Sequence, residues 1–156
     1  MNSKRRTFLK TAGSASSVAI AAAAGLIKPT EVLAVEWNKA AFDAKGVPDA
    51  LKVVGAAGAA DSKDILIKAP DIAENGAVVP IEVTSKIAGT SAILLMVEKN
   101  AAPLTANFDL SNGADSYVST RIKMGQTSNV RAVVKAGGKF YTATKEVKVT
   151  IGGCGG

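Results

Sequence analysis

The chain has a single cysteine, Cys154, which lies between two pairs of glycine in the sequence Ile-Gly-Gly-Cys-Gly-Gly at residues 151–156. Glycine has no Cβ, so such a segment packs no side chains and has the widest backbone freedom available. Three residues beyond Ile151 span about 10 Å when extended. We interpret residues 152–156 as a flexible arm that carries the thiol away from the domain, its freedom supplied by Gly152, Gly153, Gly155 and Gly156.

The chemistry that this thiol suits is covalent attachment. A free thiol has a pKa of about 8.5, and no basic side chain follows Lys148 to lower it. We expect Cys154 to be a passive attachment point that becomes reactive inside the enzymes that receive it. Two simpler interpretations remain, an incidental cysteine and one that joins two copies of a secreted structural protein through a disulfide.

The sequence contains no histidine. This excludes Ser-His-Asp and Cys-His catalysis, zinc and copper sites that contain histidine, and axial histidine ligation of haem. One cysteine cannot form an internal disulfide or a four-thiolate metal site. The sequence therefore predicts a non-catalytic protein with no cofactor and no metal of its own.

The acidic residues form no recognisable metal-binding motif. Asp61 and Asp64 are three residues apart, and segment 109–115 lacks the glycine position and the downstream glutamate of a calcium loop. We interpret this segment as an Asn-Gly turn with solvated carboxylates. Arg121 and Arg131 lie in predicted strands, where a solvated strand face is favoured over an anion site.

The N-terminal residues carry an export motif. Arg5 and Arg6 are followed by Phe8, Leu9 and a lysine, which closely resembles the twin-arginine signal. The apolar run at 11–27 is too short and too mild for a membrane span, and Val-Leu-Ala at 32–34 is a small-residue cleavage pattern. We predict a signal peptide over residues 1–34 and a periplasmic protein exported in the folded state. The alternative is an ordinary secretory signal.

Most of the net charge of +6 belongs to this predicted signal peptide. Residues 1–34 hold five of the 19 basic and one of the 13 acidic residues, so 14 and 12 remain and the net charge falls to +2. This balance indicates neither nucleic acid nor a membrane surface as a partner. Because the twin-arginine route carries folded proteins and no cofactor site is visible, we expect the chain to fold with a partner subunit before export.

Two short helices are predicted in residues 35–60. Apolar residues recur at helical spacing over 36–45, where Trp37 and Phe42 supply large apolar surfaces, and a second helix is predicted over 49–54 with Gly55 at its end. We expect this helical segment to cover an open end or edge of a sheet, or to pack on a partner.

Residues 61–151 are predicted to form an immunoglobulin-like antiparallel β-sandwich. Turn dipeptides such as Asn75-Gly76, Asn112-Gly113 and Gly137-Gly138 separate short predicted strands, which cover residues 65–68, 79–86, 92–98, 104–110, 117–124, 128–135 and 139–151. Met96 and Met124 are expected to fill the core. Pro80 predicts an edge or a bulge in the first half of its strand, which favours a β-rich partner.

The export signal, the helical segment, the predicted β domain and the tail Val149-Thr150-Ile151-Gly152-Gly153-Cys154-Gly155-Gly156 together resemble the SoxY family, the sulfur-carrier subunits of the SoxYZ complex of periplasmic thiosulfate oxidation. The resemblance implies that Cys154 is the carrier cysteine of a swinging arm. It also implies a SoxZ-like β-sandwich partner, a c-type cytochrome enzyme that joins thiosulfate oxidatively to Cys154, and a manganese-dependent hydrolase that releases sulfate.

A second class of sulfur carrier also ends in Gly-Gly. The ubiquitin-like carriers are adenylated at that end and converted to a thiocarboxylate, which requires ATP and therefore the cytoplasm. The predicted export signal contradicts that location. This class and the disulfide-linked structural protein are the two alternative functions that the sequence leaves open.

Overall fold

The computed structural model describes residues 38–110 and 113–150, in which two short helices and nine strands are present. The helices are α1 (Lys39–Asp43) and α2 (Val47–Val53). The strands are β1 (Ala60–Asp61), β2 (Ile65–Lys68), β3 (Ile72–Ala73), β4 (Val79–Ser85), β5 (Thr90–Val97), β6 (Leu104–Asp109), β7 (Tyr117–Ile122), β8 (Ser128–Ala136) and β9 (Lys139–Val149). All seven predicted strands are present, and their described ends lie within two residues of the prediction.

The strands form two sheets with immunoglobulin-like connectivity. The larger sheet has the order β1-β9-β8-β5-β6, with β3 also paired to β9, and the smaller sheet has the order β2-β4-β7. Consecutive strands β4 and β5 lie in different sheets, as do β6 and β7, which is typical of Greek-key sandwiches. The predicted fold class is therefore confirmed. The two-residue strands β1 and β3, which run parallel to β9, were not predicted.

A core lies between the two sheets because side chains alternate along each strand. In β4, Val79, Ile81 and Val83 are at most 1% exposed, and they belong to the same buried cluster as Val130 and Val134 of β8. The predicted core methionines, Met96 and Met124, are both buried.

Strand β5 is apolar along most of its length because both of its faces are covered. Ile93 and Leu95 face the core between the sheets, whereas Leu94 and Met96 belong to a second apolar cluster on the opposite face. A strand covered on both sides needs no polar alternation. This explains the continuous apolar run that predicted a central strand.

The two helices form the cover of that second cluster. Ala41 of α1 and Ala50 of α2 are fully buried in it, together with Leu94 and Val133 of the larger sheet. The helical segment thus lies on the outer face of the larger sheet, and not at the open end or edge that was predicted. The reason is that the outward side chains of the central strands are themselves apolar and are buried only if something packs on them.

Helix α2 begins two residues before the predicted start. Its N-cap is Gly46, and Pro48 lies in the first turn, where the missing N–H of proline costs no helical hydrogen bond. The helix ends at Val53, one residue before the predicted end, and Gly55, which was predicted to stop it, follows the C-cap Val54 with a φ of 77°. The Gly55 N–H donates to the Lys52 carbonyl and the Ala56 N–H to the Leu51 carbonyl, which is the Schellman pattern.

Pro80 lies in the part of β4 that has a single neighbouring strand. Residues 82–85 pair with β2, whereas residues 79–84 pair with β7. Val79, Pro80 and Ile81 are therefore at an edge on the β2 side, as the proline predicted. The turn between β8 and β9 is also as predicted, since Gly137 and Gly138 have φ values of 55° and 77° and Ala136 pairs with Lys139.

Candidate functional site

The predicted carrier arm, Gly152, Gly153, Cys154, Gly155 and Gly156, lies outside the described residues, as do Trp37, Asn112 and the predicted export residues Arg5, Arg6, Phe8 and Leu9. The structure does describe the strand that precedes these residues in the sequence. Strand β9 ends at Val149, and Thr150 is the last described residue before the arm. We call the hydrogen-bonded surroundings of Lys148, Val149 and Thr150 the arm base.

On one side, the arm base is bonded to β3. The Lys148 N–H donates to the Asp71 carbonyl at 3.0 Å, and the Thr150 N–H donates to the Ala73 carbonyl at 3.1 Å. These bonds continue the pairing in which Ile72 lies beside Lys148 and Ala73 beside Val149. The backbone is therefore held in extended conformation up to Thr150.

On the other side, a threonine side chain takes the place of a neighbouring strand. The Val149 N–H donates to Thr127 Oγ1 at 3.0 Å, and the same hydroxyl approaches the Val149 carbonyl at 3.5 Å. Strand β8 begins at Ser128, so the regular pairing with β9 ends just before this point. The Thr127 hydroxyl thus satisfies the last backbone amide that β8 leaves unpaired.

A glycine allows the close approach beneath the arm base. A Cβ on Gly76 would lie 2.3 Å from the Met124 carbonyl oxygen and 2.8 Å from Val149 Cγ1. The Gly76 carbonyl accepts a hydrogen bond from the Met124 N–H at 2.7 Å. Any larger residue at position 76 would push apart the segments that hold Val149.

The segment before β3 is held to β9 by a charged side chain. Lys145 Nζ donates to the Ala69 carbonyl at 2.8 Å and lies 3.1 Å from Asp71 Oδ1. The Asp71 side chain is 90% exposed, so its ion pair with Lys145 contributes little to stability. The hydrogen bond from Lys145 to the partly buried Ala69 carbonyl contributes more. Residues 69–73 are thus attached to β9 along their length.

The position of Thr150 limits how far Cys154 can lie from the described domain. Cys154 is the fourth residue after Thr150, and four extended residues span at most about 13–14 Å. Any partner that reacts with Cys154 must therefore bring its reactive group within that distance of Thr150. Such a reach is suited to an active site at the bottom of a narrow funnel.

A second candidate site is a groove of about 620 Å³ beside helix α2, lined by Gly46, Val47, Pro48, Leu51, Ala57, Glu98 and Arg131. Arg131 donates to Glu98 Oε1 at 2.8 Å, and Asn129 donates to Glu98 Oε2 at 3.0 Å. The hydrogen bond from Arg131 is the main reason that the pKa of Glu98 is lowered. Because Glu98 neutralises Arg131, this groove is a poor anion site, although Arg131 Nε is buried and has no hydrogen-bond partner among the described residues.

The structure also bears on the other sites that the sequence raised, an anion site at Arg121 and a metal site. Arg121 is exposed on β7 and pairs across the sheet with Pro80, so it lies on the outer face of the smaller sheet. In the ranges 38–110 and 113–150, no group of three or more Asp, Glu, His or Cys residues could hold a metal ion. None of the helices within those ranges is long and apolar enough to cross a membrane.

The residues that build the arm base were not found from the sequence. Thr127 and Gly76 are 22 and 73 residues away from Val149, and neither is part of a motif that points to the arm. The Asn75-Gly76 dipeptide was interpreted as a turn, which it is, since the Val78 N–H donates to the Asn75 carbonyl. Its second role, the close packing on Val149 and Met124, depends on tertiary structure alone.

Two comparisons with known proteins point to the same family. Residues 50–154 match the family model described as "Sulfur oxidation protein SoxY". The chain is similar to a solved structure of the sulfur carrier protein SoxY from Chlorobium limicola f thiosulfatophilum, with 41% identity and a TM-score of 0.62 over 73% of this chain and 100% of that chain.

Two further comparisons add no functional information. A chain from a structural study of T cell specificity and activation by the bacterial superantigen toxic shock syndrome toxin-1 has 14% identity and a TM-score of 0.41, over 55% of this chain and 99% of that chain, which is too weak to support an argument. None of the curated proteins matches the sequence.

Proposed function

Because the chain belongs to the SoxY family of sulfur oxidation proteins, we propose that it carries sulfur intermediates covalently on Cys154 during the oxidation of thiosulfate. Members of this family include a sulfur carrier protein that matches this chain over 73% of its length. The finer claim concerns the place of attachment. Cys154 is the only thiol in the chain, so a cysteine-linked adduct has no other site.

One structural observation supports the arm mechanism more than any other. The backbone is hydrogen-bonded on both sides at Val149 and Thr150, and the glycine-rich sequence begins two residues later. A carrier needs a fixed base, because the partner must dock in one orientation, and a free end, because the thiol must enter an active site. The family match also extends as far as residue 154, which is Cys154 itself.

The proposed chemistry requires two separate enzymes. In the first step the Cys154 thiol and thiosulfate form an S–S bond, which yields a cysteine S-thiosulfonate, one proton and two electrons that a c-type cytochrome enzyme accepts. In the second step a manganese-dependent hydrolase adds water to the terminal sulfonate, which leaves as sulfate, and a persulfide remains on Cys154. The carrier supplies the sulfur atom of attachment and its delivery, and the enzymes supply the catalysis.

The proposal includes a partner subunit and a location. We infer that a SoxZ-like β-sandwich assembles with this chain and that both are exported together in the folded state by the twin-arginine signal at residues 1–34. In support, the sequence has the arginine pair of that signal, and thiosulfate oxidation through a cytochrome is a periplasmic reaction in the family that the chain resembles. The chain itself is expected to be non-catalytic.

Intact mass spectrometry of the full chain in complex with its partner subunit tests this function. After incubation with thiosulfate and the conjugating enzyme, we expect a thiosulfonate mass increment that disappears on reduction and is absent in Cys154→Ser. The substituted protein should retain its circular dichroism spectrum and its partner, because serine is close to cysteine in size and the proposed arm needs no packing contact of the thiol. A mass shift on the terminal carboxylate, or a disulfide dimer with no sulfur adduct, would contradict the proposal.

A further inference from the structure

The two most exposed large apolar side chains among those that the structure describes are Ile72, at 58%, and Val78, at 50%. Both belong to the segment from Asp71 to Val78, which contains β3 and the Asn75-Gly76 turn. We call this segment the collar. Exposed apolar side chains scattered singly need no explanation, whereas these two are only six residues apart in one short segment.

The collar lies directly against the arm base. Ile72 pairs with Lys148, two residues before the end of the described chain at Thr150, and side chains paired in this way point to the same side of a sheet. Val78 is two residues beyond Gly76, and a Cβ on Gly76 would lie 2.8 Å from Val149 Cγ1. Ile72 therefore lies beside the arm base, and Val78 is two residues along the chain from a position that contacts Val149.

The collar is also firmly held, which distinguishes it from a loose loop. The Asp71 and Ala73 carbonyls accept hydrogen bonds from Lys148 and Thr150, and Ala73 is 6% exposed. Among the described strands, β3 pairs only with β9, so its other edge is open. A rigid, partly apolar surface with an open strand edge is suited to recognition by another protein.

The reach of the arm decides what this surface contacts. Cys154 is four residues beyond Thr150, and four extended residues span at most about 13–14 Å. The proposed carrier role therefore requires an enzyme whose reactive group lies at the bottom of a funnel no deeper than this. When Cys154 reaches the bottom of such a funnel, the rim must touch the protein surface around Thr150. The collar is the part of that surface on the β3 side of Thr150.

We propose that Ile72 and Val78 are the docking contacts of the collar for the enzymes that receive the Cys154 arm, and that the occupant is the apolar rim of the enzyme's active-site entrance. The proposal rests on the carrier function proposed above and extends it. Docking through the collar adds binding free energy that does not depend on the sulfur group carried. It therefore lets one carrier be recognised before and after each chemical step.

The test uses the complete carrier complex with full-length chain, loaded with thiosulfonate, as the varied substrate of the sulfate-releasing hydrolase. Ile72→Ser and Val78→Ser, made singly and together, should raise KM by about tenfold for the pair while kcat stays within about twofold of the parent. The rate at which iodoacetamide alkylates Cys154 should not change, because the thiol itself is untouched.

Leu66→Ser and Val53→Ser are the matched controls, since these side chains are exposed to 41% and 44%. Leu66 pairs with Thr84, five residues along β4 from Val79, which places it about 17 Å from the collar end of that strand. Both controls should leave KM unchanged. Equal effects of control and collar variants would show a general loss of surface apolarity and overturn the proposal.

Two other results would also overturn it. An unchanged KM for the double variant, with Cys154→Ser inactive, would mean that the carrier function holds and that docking lies elsewhere. Loss of the partner subunit from Ile72→Ser or Val78→Ser on size-exclusion chromatography would assign the collar to subunit assembly. Failure of the carrier function itself would appear differently, as the absence of any adduct on the unsubstituted chain.

Discussion

The arm base and the groove beside α2 hold parts of the same sheet by different means. At the arm base, β9 is fixed by directional backbone and hydroxyl hydrogen bonds, and a glycine leaves no room for a Cβ. At the groove, the sheet is covered by apolar contacts of α2 and by the Glu98–Arg131 ion pair, whose side chains are about one quarter exposed. Directional hydrogen bonds and a close backbone contact hold the end of β9 in one orientation. Apolar contacts are less directional, so α2 can shift slightly on the sheet without losing them.

This difference explains where a hinge can lie. The bonds to Asp71, Ala73 and Thr127 hold the backbone as far as Thr150, so no hinge lies before that residue in β9. If the proposed carrier function holds, a base that frayed earlier would lengthen the proposed arm and change the angle at which Cys154 enters a partner. The comparison therefore predicts that changes at the arm base affect delivery of the thiol, whereas changes at the groove affect stability alone.

The largest effect is expected for Gly76→Ala. The new Cβ would lie 2.3 Å from the Met124 carbonyl oxygen, and a backbone atom cannot move away as a flexible side chain can. We expect the free energy of unfolding to fall by about 2–3 kcal/mol, measured by urea denaturation. Gly58→Ala is the control, because a Cβ on Gly58 would have no atom within 4 Å. Equal stability of the two variants would contradict the close approach at Gly76.

A smaller and more specific effect is expected for Thr127→Val. Valine keeps the shape but removes the hydroxyl that accepts from the Val149 N–H at 3.0 Å. We expect a loss of about 1 kcal/mol in the free energy of unfolding and faster hydrogen exchange at the Val149 amide.

Thr105→Val is the matched control for that substitution, because the Thr105 hydroxyl donates to the Pro103 carbonyl, away from the arm base. It should leave exchange at Val149 unchanged. If Thr127→Val exchanges at Val149 as slowly as the parent, β3 alone holds the arm base and the hydroxyl has no positioning role.

The smallest effect is expected for Glu98→Gln at the groove. The pKa of Glu98 is lowered from 4.5, chiefly by the hydrogen bond from Arg131, so the unfolded chain binds more protons than the folded one at mildly acid pH. The contribution of this carboxylate to stability is therefore present above pH 4.5 and is lost as the pH falls through the lowered pKa of the folded protein.

We expect Glu98→Gln to cost about 1 kcal/mol or less at neutral pH, because the pair is partly exposed. The stability difference from the parent should shrink as the pH falls below 4.5, as measured by denaturation at several pH values. Delivery of Cys154 should not change. A variant whose deficit stayed constant through this acid range would show that Glu98 acts by packing and not by charge.

Much of the fold could be predicted because single strands and turns depend on patterns of neighbouring residues. The alternation of Val79, Ile81 and Val83, the unbroken run in β5 and the Gly137-Gly138 turn each correspond to one element at the predicted position. The position of the helices could not be predicted in the same way. Their apolar residues indicated burial, but only the arrangement of the sheets shows that the outer face of β5 and β8 was the surface available.

The candidate site was likewise predicted only in its local part. Cys154 was found from the sequence because a lone thiol among four glycines is a local feature, and its assignment stays a prediction because it lies outside the described residues. The arm base was not found, because Thr127, Gly76 and β3 meet Val149 from distant parts of the chain. Two-residue strands such as β1 and β3 are too short to show a period.

The amino-acid sequence by itself determined the membership of the SoxY family, the chemical identity of the single thiol and the order of the strands, since each depends on residue types or on spacing along the chain. Only the tertiary structure decided where the held part of β9 ends and which surface surrounds that point. The physical reason is that a hydrogen bond or a close contact forms between groups near in space, and Thr127, Gly76, Ile72 and Val149 become neighbours only when the sandwich closes.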